Sequence, residues 1–177
     1  MKFINNIIIV ILLILSLLSG NYLFIIGLLP LLFFVLLIRK YNKNLELVYL
    51  LFLFIAYVLG FGYDYYDRIY YFDAVAHSFF GIFASIYALP LLKFFRRYDT
   101  KNKIFNIIFI IIFTLSMAAL WEIVEFTIDK IFITTNMQRG LNNTMKDIIS
   151  AFLFSILYSL IYFEKDSLIE KLFITKN

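Results

Sequence analysis

The 177 residues are 63% apolar and 16% charged, against about half and a quarter in an ordinary soluble domain, which excludes a water-soluble globular fold. The chain has no cysteine and a single histidine, His77, so disulfides, thiolate chemistry, cysteine-held metals and any site needing two imidazoles from one chain are excluded. The net charge of +4 comes from short basic clusters between apolar runs, which orient a membrane protein rather than bind nucleic acid.

A membrane-spanning helix needs about 20 largely apolar residues. Six runs are candidates by that rule, approximately 4–19, 22–38, 46–63, 72–93, 104–128 and 146–163, the first the weakest, and they define an all-α, multi-pass bundle forming one membrane domain. Asn5 and Asn6 shorten the first run. No small-x-small cleavage site follows it, so it reads as one arm of a helical hairpin with the second run rather than as a signal peptide. Pro30 and Pro90 fall in or near the ends of runs, where a kink is tolerated if neighbours satisfy the freed carbonyls. The segment 164–177 puts Leu168, Ile169, Leu172 and Phe173 on one helical face, so it reads either as a helix lying on the membrane surface or as a solvated tail.

With the N-terminus inside, Lys2, Arg39, Lys40, Lys43, Lys93, Arg96, Arg97, Lys101, Lys103, Lys165, Lys171 and Lys176 are internal, which is 12 of the 16 basic residues. Only Arg68, Lys130, Arg139 and Lys146 remain outside, a positive-inside distribution in the cell membrane. The acids run the other way. Asp64, Asp67, Asp73, Glu122, Glu125, Asp129 and Asp147 gather with His77 at the outer side, seven of the twelve.

Helical spacing groups them further. Asp73 and His77 are four apart, and their stripe continues through Gly81 and Ser85, small enough to admit a neighbouring helix. Glu122, Glu125 and Asp129 share a face with Thr114 and Ala118, and Asp147 shares one with Ser150, Ala151 and Ser155. Charges inside the membrane are costly and need partners, which makes His77, Glu122 and Glu125 the leading site residues. Simpler readings stand beside this. Asp73 can cap its helix, and Asp147 can form a capping box with Thr144. Asp64, Asp67 and Asp129 can be solvated, with Arg68 and Arg139 as their ion-pair partners. Trp121 and the tyrosines from Tyr63 to Tyr71 fit an interfacial aromatic belt. Capping does not account for Glu122 and Glu125, which this reading puts at a helix C-terminus, where the dipole disfavours negative charge.

One imidazole and several carboxylates form a nitrogen and oxygen ligand set for a divalent ion such as zinc, manganese or iron, with His77, Glu122, Glu125 and Asp147 as ligands and Asp73 orienting His77. Glu122-x-x-Glu125 has the i, i+3 spacing of carboxylate metal helices, with glutamate where those carry histidine. The same groups also suit metal-free acid and base chemistry by Glu122, Glu125, His77 and Asp73. No His-Glu-x-x-His or Gly-x-Ser-x-Gly motif is present, and no broken midplane helix of the kind many carriers use is evident.

Three segments, Phe72-Asp73-Ala74-Val75-Ala76-His77-Ser78-Phe79-Phe80-Gly81, Trp121-Glu122-Ile123-Val124-Glu125-Phe126 and Asn142-Asn143-Thr144-Met145-Lys146-Asp147, together resemble the uncharacterised YjdF-type inner-membrane family and, more distantly, the VanZ-like proteins. The resemblance covers roughly residues 64–163. It implies site roles for Asp73, His77, Glu122, Glu125 and Asp147, and a third motif of the form Asp-Thr-x-x-Asp. Asn143 stands where that motif has its first aspartate, which removes one anionic ligand. The VanZ-like association with glycopeptide resistance points, by analogy, to the outer face and the cell envelope. The expectation is therefore an outer-leaflet site acting on a lipid or lipid-linked envelope substrate. A proton- or cation-coupled carrier and a non-enzymatic envelope or antibiotic-resistance accessory protein are the alternatives.

Overall fold

A computed structural model describes residues 2–18, 32, 35, 38–132 and 139–174, and no strand occurs among them. The helices are α1 (Lys2–Leu18), α2 (Lys43–Phe52), α3 (Tyr65–Arg68), α4 (Phe72–Phe94), α5 (Lys103–Phe132) and α6 (Leu141–Ile169). α2 continues as a π-helix over Leu53–Gly62, and α6 continues in the same way over Glu170–Ile174. Four of these stretches, Lys43–Gly62, Phe72–Phe94, Lys103–Ile131 and Leu141–Ile174, are long and apolar enough to cross a membrane. They correspond to the third to sixth expected spans. The first expected span is the shorter apolar helix α1. The second, 22–38, lies outside the described residues except for 32, 35 and 38, as does Pro30.

The chain divides into two compact units, residues 1–76 with 168–177, and residues 77–167. In the first unit, polar side chains tie helix ends together. Asn42 caps α2 by accepting from the backbone N–H groups of Asn44 and Leu45, the role its short carbonyl-bearing side chain fills best. Its amide and that of Asn44 both donate to the Leu172 carbonyl, at 3.1 and 2.7 Å. Buried Ile169 and Ile174 flank that carbonyl. The C-terminal segment is therefore docked on α2, which corrects the solvated-tail reading: a bare carbonyl at a helix end gains partners, and Ile169 and Ile174 are buried while Leu168 and Leu172 stay exposed. Asn5 is fully buried and donates to the Lys43 carbonyl, which is how α1 accommodates an amide. Glu46, also fully buried, accepts from Arg39 Nε at 2.7 Å. At the other end of the unit, Gly60 lets the Tyr66 ring close on the π-helix: a Cβ there would lie 2.7 Å from Tyr66 Cζ. Arg68 pairs with Asp64 at 3.4 Å, as its spacing suggests.

In the second unit α4, α5 and α6 pack as three long helices. Gly81 of α4 sits against the α6 backbone, where a Cβ would come within 2.8 Å of Ala151 Cα. Ser85 Oγ of α4 and Thr114 Oγ1 of α5 are 3.0 Å apart. Lys103, at the start of α5, reaches Asp166 at 2.7 Å. α6 departs from helical geometry at Lys165, two residues beyond the expected end of its span. Pro90 lies inside α4, which continues to Phe94.

Candidate functional site

Helix α4 places Asp73 and His77 one turn apart on one face, because four residues advance a helix by little more than one turn. Helix α6 brings Asp147 to the same point. Asp73, His77 and Asp147 are all buried, and each offers a ligand atom within 4.8 Å of the others. The contact that sets this is one turn further along both helices. Gly81 is four residues from His77, and Ala151 is four from Asp147, so the close approach of Gly81 to Ala151 draws the two side chains together.

Helix α5 contributes Glu122, whose Oε1 stands 3.9 Å from His77 Nε2, both side chains buried. Glu125, also buried, accepts a 2.6 Å hydrogen bond from Trp121 Nε1. Neither glutamate belongs to the group formed by Asp73, His77 and Asp147. Trp121 is read from the sequence only as part of an aromatic belt. Its four-residue offset from Glu125 on a helix was the signal for the contact it makes.

Two readings are corrected here. Asp147 is not in a capping box, because α6 begins at Leu141 and has no acid in its first turn. The turn opens from Gly140, at φ 96°, whose carbonyl accepts from the backbone N–H groups of Asn143 and Thr144. Asp147 instead accepts from the Asn143 amide, and Lys146 Nζ donates to Asn143 Oδ1 at 3.2 Å. Likewise α5 runs on to Phe132, which puts Glu122 and Glu125 inside the helix. The dipole falls off within the last turn, so burial rather than the helix end makes these carboxyls costly.

Asn143 thus acts as a hydrogen-bond donor to Asp147, which an aspartate could not do while ionised. Sequence reasoning did not find the pair between half-buried Arg39 and buried Glu46 or the buried Asn106–Tyr162 contact, in which Asn106 Nδ2 donates to the Tyr162 hydroxyl at 2.8 Å and to the Asp99 carbonyl at 2.9 Å. A lone amide in the first turn of an apolar helix was the only hint of the latter.

The family described as "Predicted membrane protein (DUF2238)", the YjdF-type family, matches residues 2–165. The chain belongs to this family. A DUF2238 assignment from residue 2 onward extends the likeness over the N-terminal helices, which the three motifs left out. A Thermotoga maritima protein described only as uncharacterised is 34% identical over 98 residues, 52% of this chain and 47% of the other, so the match spans about half the length of that relative. No solved structure matches this DUF2238 chain.

Proposed function

We propose that this is a cell-membrane protein, N-terminus inside, whose Asp73, His77 and Asp147 hold one divalent metal ion in the outer leaflet for chemistry on a lipid or lipid-linked envelope substrate. The observation that carries the reading is the convergence of those three ligand atoms within 4.8 Å from two buried helix faces. Two carboxylates and an imidazole suit zinc, manganese or iron, and three protein ligands leave positions open, as catalytic sites require. A metal there would polarise a phosphoryl or ester oxygen and lower the pKa of bound water.

The remaining roles follow from position. Glu122, beside His77, orients the imidazole as the carboxylate behind a metal-bound histidine commonly does, or takes and returns a proton at the reacting group. Asn143 fixes the direction of the Asp147 carboxylate. Trp121, itself exposed, holds the buried Glu125 through its indole N–H.

The test is elemental mass spectrometry on protein purified without chelators, comparing wild type with His77→Ala and Asp147→Asn. Near-stoichiometric zinc, manganese or iron in the wild type, lost in both variants while they stay monodisperse, is the expected result. A metal-free wild type would sink the proposal. Glu122→Gln should keep most of the metal, since that carboxylate lies beyond the ligand group.

A further inference from the structure

Helices α4, α5 and α6 share a spacing that the metal site does not use. Ser85 lies eight residues from His77 on α4, Thr114 eight from Glu122 on α5, and Ser155 eight from Asp147 on α6. All three are fully buried. At about 1.5 Å per residue this layer of hydroxyls is roughly 12 Å from the site, and Ser85 Oγ and Thr114 Oγ1 are 3.0 Å apart within it.

Eight residues further along α5 comes Asn106, and seven further along α6 comes Tyr162. These two are hydrogen-bonded to each other at 2.8 Å and fully buried. Between the layers α6 supplies Tyr158 and Ser159, both buried, and beyond them Lys103 pairs with Asp166 at the basic end of the helices. From Asp147 to Asp166 is 19 residues, about 28 Å of helix, close to the thickness of a bilayer core.

Serines that donate to their own helix, as Ser85 does to the Gly81 carbonyl and Ser155 to the Phe152 carbonyl, are ordinary in membrane helices. That does not explain Asn106 Oδ1 and Tyr158 Oη, which are buried and have no hydrogen-bond partner among the described residues. Buried polar atoms nearly always have a partner, and inside a membrane the cost of lacking one is higher. Both atoms therefore point to a guest that hydrogen-bonds inside the column.

We propose that this column conducts protons, with water between the layers, from the Asn106–Tyr162 end to the Ser85–Thr114 level and the site beyond. Hydroxyls both accept and donate, so a proton taken up at one end is matched by one released at the other, and no covalent bond to a substrate changes. The proposal does not depend on a metal at the site.

The test uses the full chain in phosphatidylethanolamine and phosphatidylglycerol vesicles that contain a trapped pH dye, with a potassium gradient and valinomycin to drive and balance the charge. The wild type should acidify vesicles faster than protein-free controls, and Asn106→Leu and Tyr162→Phe should bring the rate to the control value. Tyr158→Phe removes only an oxygen that makes no hydrogen bond to the described residues, so it folds normally and should slow the flux, which keeps the test sound if Asn106→Leu misfolds. Ser116→Ala, on the exposed side of α5 and bonded only to its own helix, should keep the full rate. Wild-type flux equal to that of empty vesicles, or a Tyr158→Phe rate equal to wild type, overturns the proposal. Metal analysis of the same preparations reads the other hypothesis separately.

Discussion

A single amide shows how residue-level chemistry is decided at this site. Asn143 donates to the Asp147 carboxylate, and a hydrogen bond to a charged group contributes about 1.5–3 kcal/mol. Replacing it with aspartate, the residue that the resemblance implies at this position, exchanges a donor for a second negative charge. Asn143→Asp should therefore melt below wild type in chelator, by an amount within that range, and should gain more stability than wild type when manganese or zinc is added, since it offers one more anionic ligand. Thermal unfolding in detergent with and without metal measures both effects. Equal melting in chelator would show that the Asn143 contact stabilises nothing. The i, i+4 pairing of Asp73 with His77 was legible from the sequence, because one helix fixes both side chains. Asp147 was named as a ligand from the sequence, but that Asp73 offers a ligand atom beside it while Glu122 and Glu125 stand outside the group was not legible, since it depends on how three helices rotate and cross.

Among the elements, helix ends were less legible than helix faces. The buried residues of α5, Asn106, Ile110, Thr114, Ala118 and Glu122, follow a ridge of four-residue steps, with buried Glu125 three residues beyond it, that spacing partly reveals. Each such step drifts about 40° around the helix, which carries the ridge from Tyr162 on α6 to Ser85 and His77 on α4. The start of α6 was placed at 146 because Asn142, Asn143 and Thr144 are polar, although they occupy the first turns of a helix that begins at Leu141. The contact between α4 and α6 supports the most direct element-scale prediction. Gly81→Ala puts a methyl against the Ala151 backbone, which cannot rotate away as a side chain would. The two helices must part, at a cost of about 1–3 kcal/mol, and His77 and Asp147 part with them. Elemental analysis should find less metal in Gly81→Ala, whereas Gly60→Ala, which meets only the Tyr66 ring, should retain it. Full occupancy in Gly81→Ala would mean that this contact does not set the site.

For the whole molecule, composition and the length of the apolar runs identified a helical membrane protein, because long continuous apolar runs span as helices, whereas the strands of a membrane barrel are short and alternate apolar with polar residues. Orientation rests on the 12 to 4 division of basic residues. With no native cysteine, it can be measured directly. Asn142→Cys should react with an impermeant thiol reagent on intact cells and Asn102→Cys should not; the reverse labelling would move the site to the cytoplasmic face. The arrangement of the first unit was not legible, since nothing in a count of apolar residues predicts that Asn42 and Asn44 will meet the Leu172 carbonyl.

That contact bears on the order of biosynthesis. The unit formed by residues 1–76 includes 168–177, so a ribosome must make the whole of α4, α5 and α6 before the segment that seats on α2 exists. Until then the Asn42 and Asn44 amides do not have the Leu172 carbonyl to donate to. Early helices thus insert into the bilayer well before their own unit is finished, and a nascent chain stalled after α5 would hold a first unit that still lacks its last segment.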